Sequence, residues 1–215
     1  MSRRAGRVVL MVLAVSVAVE AYFVGREISV GRSISSFDFS NDSQDDLPSE
    51  YPRGNGHAPD FTLIDQFGKK LSLSDLRGEV VVLTFAFAHC STVCPTLVYQ
   101  AKQGFVAADT SGARFLVVTL DPWRDRPSTL PTLAEKWKLP ARSHVLSGDI
   151  DQVNETIKKY GVTTTRDEAT GDISHPSMIF VIDQDGKLAY TFNNAPSRWI
   201  TQAIGRLREF GLASN

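Results

Sequence analysis

The two cysteines of the chain, Cys90 and Cys94, lie four residues apart and follow an apolar run at residues 80–85. If a helix begins after His89, residues i and i+4 share one helix face, with Cβ atoms about 5–6 Å apart. Two thiolates at that separation can bind one soft metal ion, and they can also close as a disulfide. Spacing alone therefore leaves three interpretations open: a reactive or metal-binding dithiol, a structural disulfide, and two inert buried cysteines.

The composition is that of a globular chain. Its 215 residues are 42% hydrophobic and 22% charged, which predicts one domain with a sizeable core and a tail. A net charge of -1 gives no general attraction to nucleic acid, so no nucleic-acid partner is expected. Two cysteines exclude a disulfide-dense scaffold and a zinc site built from paired C-x-x-C motifs.

The N-terminal part of the chain predicts export and membrane attachment. Residues 1–30 begin with three arginines and continue with a mostly apolar run at 8–24, close to the minimum of about 17 residues for a spanning helix. We interpret them as a retained transmembrane anchor in preference to a cleaved signal, with the basic flank in the cytoplasm. Residues 31–56 are polar and predict a flexible tether, and residues 57–215 predict the folded domain.

Within the domain, apolar runs and turn signals alternate. They predict a hairpin around 66–69, a capped turn from Ser74 to Gly78, a buried strand from Val80 and a helix from the cysteines to about Asp109. In the middle of the domain they predict a strand at 114–120, a helix from Pro127 to about Trp137 and a strand at 144–146. A helix at 153–160 with Asp149 as N-cap follows, and then a loop or hairpin at 162–174. The last predicted elements are a hairpin around 183–186 and a helix at 196–210. Such alternation indicates a mixed α/β sheet with helices on both faces.

The charged loop at residues 121–127 follows a predicted strand, at the edge where open α/β sheets gather ligand sites. Asp121 could hydrogen-bond near such a site. It could equally pair with Arg124 and cap the next helix, and both interpretations stay open.

Three motifs resemble the SCO/SenC family of membrane-tethered copper chaperones for cytochrome c oxidase assembly, which have a thioredoxin-like fold. The motifs are His89-Cys90-x-x-Val93-Cys94-Pro95-Thr96, Asp121-Pro122-x-Arg124-Asp125 and Asp172-x-x-His175 before residues 179–183, and the resemblance covers about residues 58–212. It implies that Cys90, Cys94 and His175 bind one copper ion, as Cu(I) through the thiolates or as Cu(II) with the imidazole added. It also places His175 in a loop where thioredoxin-like folds have a cis-proline segment facing the dithiol.

The resemblance further implies a carrier of copper rather than an enzyme. Its expected partners are a cytochrome c oxidase subunit with a dinuclear copper site and other copper carriers. The expected location is the bacterial inner membrane with the domain on the periplasmic face, ahead of the mitochondrial equivalent. His89 is as consistent with orienting the loop as with touching metal, and we interpret His57 and His144 as structural or surface residues.

Two other functions fit parts of the sequence. A thiol–disulfide oxidoreductase could use Cys90 and Cys94 as a redox pair to reduce the cysteines of a partner protein, although the spacing differs from C-x-x-C. A thiol peroxidase is suggested by residues 58–63, a stretch that also occurs in peroxiredoxin-like chains. The oxidoreductase has no evident need of His175, and the peroxidase lacks its typical Thr-x-x-Cys setting.

Overall fold

The computed structural model describes residues 46–89 and 94–213. The strands within this part of the chain are β1 (Thr62–Asp65), β2 (Lys70–Ser72), β3 (Val80–Ala86), β4 (Ala113–Thr119), β5 (Ser143–Ser147), β6 (Thr165–Arg166), β7 (Ile173–Ser174), β8 (Met178–Ile182) and β9 (Leu188–Asn193). The α-helices are α1 (Cys94–Ala107), α2 (Leu130–Lys136), α3 (Ile150–Lys159) and α4 (Ser197–Ala213).

Seven strands form one mixed sheet in the order β2-β1-β5-β4-β3-β8-β9, and β6 and β7 form a separate two-stranded hairpin. Strands β3, β4 and β5 are parallel, while β1 and β8 join them in antiparallel orientation. Every residue of β3 is buried, as a continuous apolar run in a central strand predicts.

Helices cover both faces of this sheet, as the sequence predicts. Val82 pairs with Phe115 across β3 and β4, and the Phe115 ring lies 5.8 Å from that of Phe105 in α1. Phe85 is three residues after Val82 and therefore points to the other face. There its ring lies 5.6 Å from Tyr160, the residue after α3.

The two predicted hairpins, β1–β2 and β8–β9, are confirmed by the strand pairing. The predicted N-cap at Ser74 is wrong, because the short 3-10 turn at Leu73–Leu76 is capped by Ser72. The carboxylate of Asp75 accepts the Ser72 backbone N–H at 2.9 Å, the interaction expected three residues into a capping box. Gly78 ends the turn with a φ of 87°, a conformation that favours glycine.

Residues 46–56, which we call the N-terminal arm, pack on the domain, although the sequence placed them in the tether. Leu47 is only 2% exposed, and its backbone N–H donates to the Gln202 side chain of α4 at 2.6 Å. The ring of Tyr51 contacts that of Phe192 in β9, with centroids 5.1 Å apart. Two large side chains thus hold a segment whose polar composition predicts a flexible linker.

The predicted membrane anchor at residues 1–30 lies outside the described residues. Among residues 46–89 and 94–213, no helix has the length and apolar character needed to cross a membrane.

Candidate metal centre

Three segments meet at one edge of the sheet because of the strand directions. Ala86 at the end of β3 pairs with Thr119 at the end of β4, so the segments that follow both strands leave from the same edge. Strand β8 runs antiparallel beside β3, so the segment before β8 arrives there too. We call this edge, which receives the segment with both cysteines, the loop at 121–127 and the loop with His175, the cysteine edge.

Helix α1 is described from Cys94 onward, so the predicted placement of both cysteines on one helix face stays a prediction. Leu97, Val98 and Ala101 are buried, which fixes the first turns of α1 against the domain. Cys90 and the Cys94 side chain lie outside the described parts of the structure.

His175 lies directly between β7 and β8 and is partly buried. Its ring packs edge-on against Phe87, with centroids 6.1 Å apart and planes at 69°. Phe87 is itself buried and comes three residues before Cys90. The imidazole is therefore held beside the chain segment that leads into the dithiol.

Burial lowers the pKa of His175 below its ordinary value, and the hydrogen bond with the Pro176 carbonyl acts in the opposite direction. The ring is consequently neutral at pH 7. Since a carbonyl oxygen only accepts, the 3.0 Å contact between His175 Nδ1 and the Pro176 oxygen assigns the proton to Nδ1. That tautomer carries its lone pair on Nε2, the arrangement typical of a metal-binding histidine.

The cis-proline segment expected here is absent, and that expectation was wrong. No peptide bond between the described residues is cis, and the His175–Pro176 bond is among them. The Pro176 carbonyl instead accepts the Met178 backbone N–H at 3.0 Å, which closes a tight turn into β8.

Asp125 binds the turn that precedes Cys90. Its side chain is buried, and Oδ2 accepts the Ala88 backbone N–H at 3.0 Å and the Thr119 hydroxyl at 2.8 Å. Burial raises the pKa of Asp125, while these two hydrogen bonds act to lower it. Lys136 donates to the Ala88 carbonyl at 2.8 Å, so side chains hold that residue's N–H and its carbonyl.

Asp121 is fully buried and accepts one guanidinium on each carboxylate oxygen. Arg166 of β6 donates to Oδ1 at 2.9 Å, and Arg124 donates to Oδ2. The pairing of Asp121 with Arg124, one of the two interpretations of this loop, is therefore present, whereas the helical segments that follow have Arg126 and Thr129 at their N-caps. Arg124 also donates to the Gly171 carbonyl in the β6–β7 connection, and the Arg166 guanidinium stacks on Trp123 at 4.9 Å.

The roles of Asp125 and Arg166 were missed by sequence reasoning. Arg166 is 45 residues from the carboxylate that it pairs with, so no local pattern connects them. Asp125 belongs to the Asp121-Pro122-x-Arg124-Asp125 motif, but the sequence does not predict that its carboxylate accepts the backbone N–H of Ala88.

The positions of His57 and His144 agree with their predicted role as structural or surface residues. His57 is exposed and forms a bridge with Lys187 just before β9, and His144 lies near the start of β5. Both positions are at the end of the sheet opposite the cysteine edge. His89 is exposed in the turn after β3. Within the described residues, no group of three or more His, Cys, Asp or Glu side chains could hold a metal ion.

Comparison with known proteins gives the family. The SCO1/SenC family model matches residues 49–208. The SCO1 protein homologue of Bacillus subtilis is 28% identical over 138 residues, which cover 62% of this chain and 72% of that protein. Among eight curated relatives, which include mitochondrial ones, the match covers between 44% and 72% of the relative's length.

Solved structures agree. Bradyrhizobium japonicum ScoI, determined with copper bound, is 25% identical with a TM-score of 0.62, covering 72% of this chain and 99% of that one. BsSco, described as a member of the Sco family of cytochrome c oxidase assembly proteins with a disulfide switch, is also 25% identical. Its TM-score is 0.61, and the match covers 73% of this chain and 94% of BsSco. The central sheet and its flanking helices are thus the thioredoxin-like fold of these proteins, and the chain belongs to the SCO1/SenC family.

Proposed function

We propose that this protein is a copper-binding metallochaperone that carries one copper ion per chain on Cys90, Cys94 and His175. The observation that carries the proposal is the contact between the His175 ring and Phe87, three residues before Cys90. It holds the only predicted ligand outside the C-x-x-x-C motif near the sheet edge from which the chain leads to Cys94 and α1. The copper-bound relative with the same fold adds support.

The donor set suits copper in both of its common oxidation states. Two thiolates are soft ligands that favour Cu(I), and an added imidazole nitrogen also accommodates Cu(II). His175 contributes a neutral ring because burial lowers its pKa, and the Pro176 carbonyl orients that ring through Nδ1. The buried carboxylates nearby are engaged with Ala88 and with two arginines, so they compete little for the metal.

The recipient in this proposal is a cytochrome c oxidase subunit that carries a dinuclear copper site, with other copper carriers as donors. Support comes from the relative described as an oxidase assembly protein. We further propose that residues 1–30 anchor the chain in the bacterial inner membrane, which places the domain at the periplasmic face near a membrane-embedded oxidase.

An anaerobic copper titration of the full-length protein tests this function. We expect one Cu(I) per chain in the parent, and loss of that binding in Cys90→Ser and in Cys94→Ser because each removes a thiolate. His175→Ala should lose Cu(II) binding, as read by absorption and EPR, whereas His144→Ala at the opposite end of the sheet should bind both ions like the parent. Parent-like copper binding in both cysteine variants would refute the site.

A second candidate function is thiol–disulfide exchange with a partner protein. Cys94 begins α1, a position at which the helix N-terminus favours a thiolate, and BsSco is described as having a disulfide switch. One thiolate would attack the partner's disulfide, and the second would resolve the mixed disulfide, leaving the partner reduced and this pair oxidised. His175→Ala separates the two functions, because it should weaken copper retention and leave the rate of disulfide exchange unchanged.

A further inference from the structure

Two buried carboxylates of the loop after β4 bind the segments that lead to the proposed copper ligands: the turn before Cys90 and the β6–β7 hairpin before His175. Asp121 is 0% exposed and Asp125 is 1% exposed. They are linked by their own backbone, since the Asp125 N–H donates to the Asp121 carbonyl at 2.8 Å. Buried carboxylates are costly unless fully hydrogen-bonded, so their partners identify what they organise.

We propose that Asp121 and Asp125 are positioning residues that act on different ligands. Asp125 fixes the turn that leads to Cys90, and Asp121 fixes the β6–β7 hairpin that directly precedes His175. This inference rests on the proposed function and adds that the two carboxylates of one loop position different copper ligands.

The connection from Asp125 to the dithiol is short. Its Oδ2 atom accepts the N–H of Ala88, two residues before Cys90, and it accepts the Thr119 hydroxyl at the end of β4. The Asp125 backbone carbonyl accepts the Ser147 hydroxyl at the end of β5. Asp125 is therefore bound to β4 through its carboxylate and to β5 through its backbone, and the same carboxylate holds the turn at Ala88.

The connection from Asp121 to His175 runs through the β6–β7 hairpin. This hairpin is not paired with the seven-stranded sheet, so contacts with the loop help to set its position. Arg166 pairs with Ile173 across the hairpin, two residues before His175, and it binds Asp121 Oδ1. Arg124 joins Asp121 Oδ2 to the Gly171 carbonyl in the hairpin connection.

The two carboxylates respond differently to the same substitution, which makes the proposal testable. Among the described residues, both hydrogen bonds to the Asp125 side chain go to one oxygen, Oδ2, which the single oxygen of an asparagine can replace. At Asp121 each oxygen faces a different guanidinium, so an asparagine must turn its NH2 group toward one of two arginines. Asp→Asn should therefore be tolerated at 125 and disruptive at 121.

The experiment measures Cu(I) and Cu(II) affinity of the full-length protein, with the Cu(II) EPR spectrum and thermal unfolding of each copper-free variant. Asp121→Asn should keep its Cu(I) affinity within about threefold, lose about 10–100-fold in Cu(II) affinity, and change the EPR spectrum as His175→Ala does. Asp125→Ala should lose about 10-fold or more for both ions, and Asp125→Asn should restore parent affinities. If Asp121→Asn does not fold, Arg166→Met tests the same contact from the other side, because it removes the guanidinium bound to Asp121 Oδ1 and Arg166 is less buried.

The outcomes separate this inference from the proposed function. If the parent binds no copper, or if His175→Ala binds Cu(II) like the parent, the proposed function fails and takes this inference with it. If the parent and His175→Ala behave as expected while Asp121→Asn and Arg166→Met bind Cu(II) like the parent, only the inference fails. Equal losses for both ions in folded Asp121→Asn, or no recovery in Asp125→Asn, would also overturn it.

Discussion

At the scale of single residues, His144 and Asp65 form a histidine–carboxylate pair far from the cysteines. His144 Nδ1 lies 3.2 Å from Asp65 Oδ2, and Asp65 Oδ1 accepts the backbone N–H groups of Phe67 and Lys69 at 2.9 Å each. Burial lowers the pKa of His144, and the hydrogen bond with Asp65 opposes this effect. Desolvation therefore dominates, and the folded protein favours a neutral His144.

We predict that this histidine makes the protein less stable in mild acid. The unfolded chain binds the proton near the ordinary pKa of 6.5, whereas the folded protein resists it. Above about pH 6.5 His144 should therefore not reduce the free energy of unfolding. Below that pH the free energy of unfolding should fall until the pH reaches the lowered pKa of His144 in the folded protein. Denaturant unfolding at pH 7.5 and pH 5 measures the effect.

His144→Gln should show a smaller loss of stability between these two pH values than the parent. His57→Gln provides the matched control, because it replaces an exposed histidine instead of a partly buried one. An identical pH dependence in parent and His144→Gln would contradict the prediction.

At this scale the sequence identifies the candidate ligands, but it does not predict which groups the neighbouring side chains contact. Cys90, Cys94 and His175 stand in motifs that can be recognised without coordinates, and the ligand set built from them stays a prediction. The inward direction of Asp125 could not be predicted. It depends on Thr119, Ala88 and Ser147, which belong to three separate segments that only folding brings together.

At the scale of secondary-structure elements, α1 and α4 approach each other closely at Gly104. A Cβ atom at this position would overlap the Ser197 carbonyl oxygen and the Cβ atom of Ile200. Thr201 adds a hydrogen bond from its hydroxyl to the Gly104 carbonyl at 2.8 Å. Because α1 begins with Cys94, this contact between two helices helps to fix the position of the helix that starts at the second cysteine.

We predict that Gly104→Ala lowers the free energy of unfolding by about 1–3 kcal/mol, the usual cost of overpacking a close contact. Gly205→Ala is the matched control, since it also lies within a helix but a Cβ atom there meets nothing within 4 Å. Its helix propensity should instead stabilise the protein by about 0.5–1 kcal/mol. Denaturant titrations distinguish the two, and equal effects would show that the Gly104 contact is loose.

Most elements follow from hydrophobic periodicity and turn residues, because the central strands are continuous apolar runs and the hairpins carry glycine-containing turns. The segment at 162–174 could be a loop or a hairpin on sequence grounds, and it forms the hairpin β6–β7. Periodicity cannot decide such a case, since two strands of two residues carry too little pattern. Their position comes instead from Arg166 and Asp121, which are distant in sequence.

At the scale of the whole molecule, the largest difference from expectation is the N-terminal arm. Polar composition across residues 31–56 predicts a tether, but Leu47 and Tyr51 each find an apolar site on the domain. Arg206 of α4 donates to the backbone carbonyls of Leu47 and Pro48, which adds polar contacts. Average composition therefore does not predict that burial of two large side chains is enough to attach a polar segment to the domain.

We predict that a soluble domain beginning at Asp46 is more stable than one beginning at His57. The shorter form loses the burial of Leu47, and full burial of such a side chain contributes about 1.5–3 kcal/mol. It also loses the contacts of Tyr51 with Phe192 and Trp199. Thermal unfolding of the two forms measures the difference, and Tyr51→Ala in the full-length protein should reproduce part of it. Identical melting temperatures would show that the arm contributes nothing.

The arm also covers the start of β9, one of the two outermost strands of the sheet. The Gly54 N–H donates to the Ala189 carbonyl at 3.0 Å, and the Leu188 N–H donates to the Gly56 carbonyl at 2.8 Å. An open strand of this kind would offer a template on which a second molecule could extend the sheet and seed fibrils. Crowded copies of the protein are thus hindered from extending the sheet at the start of β9.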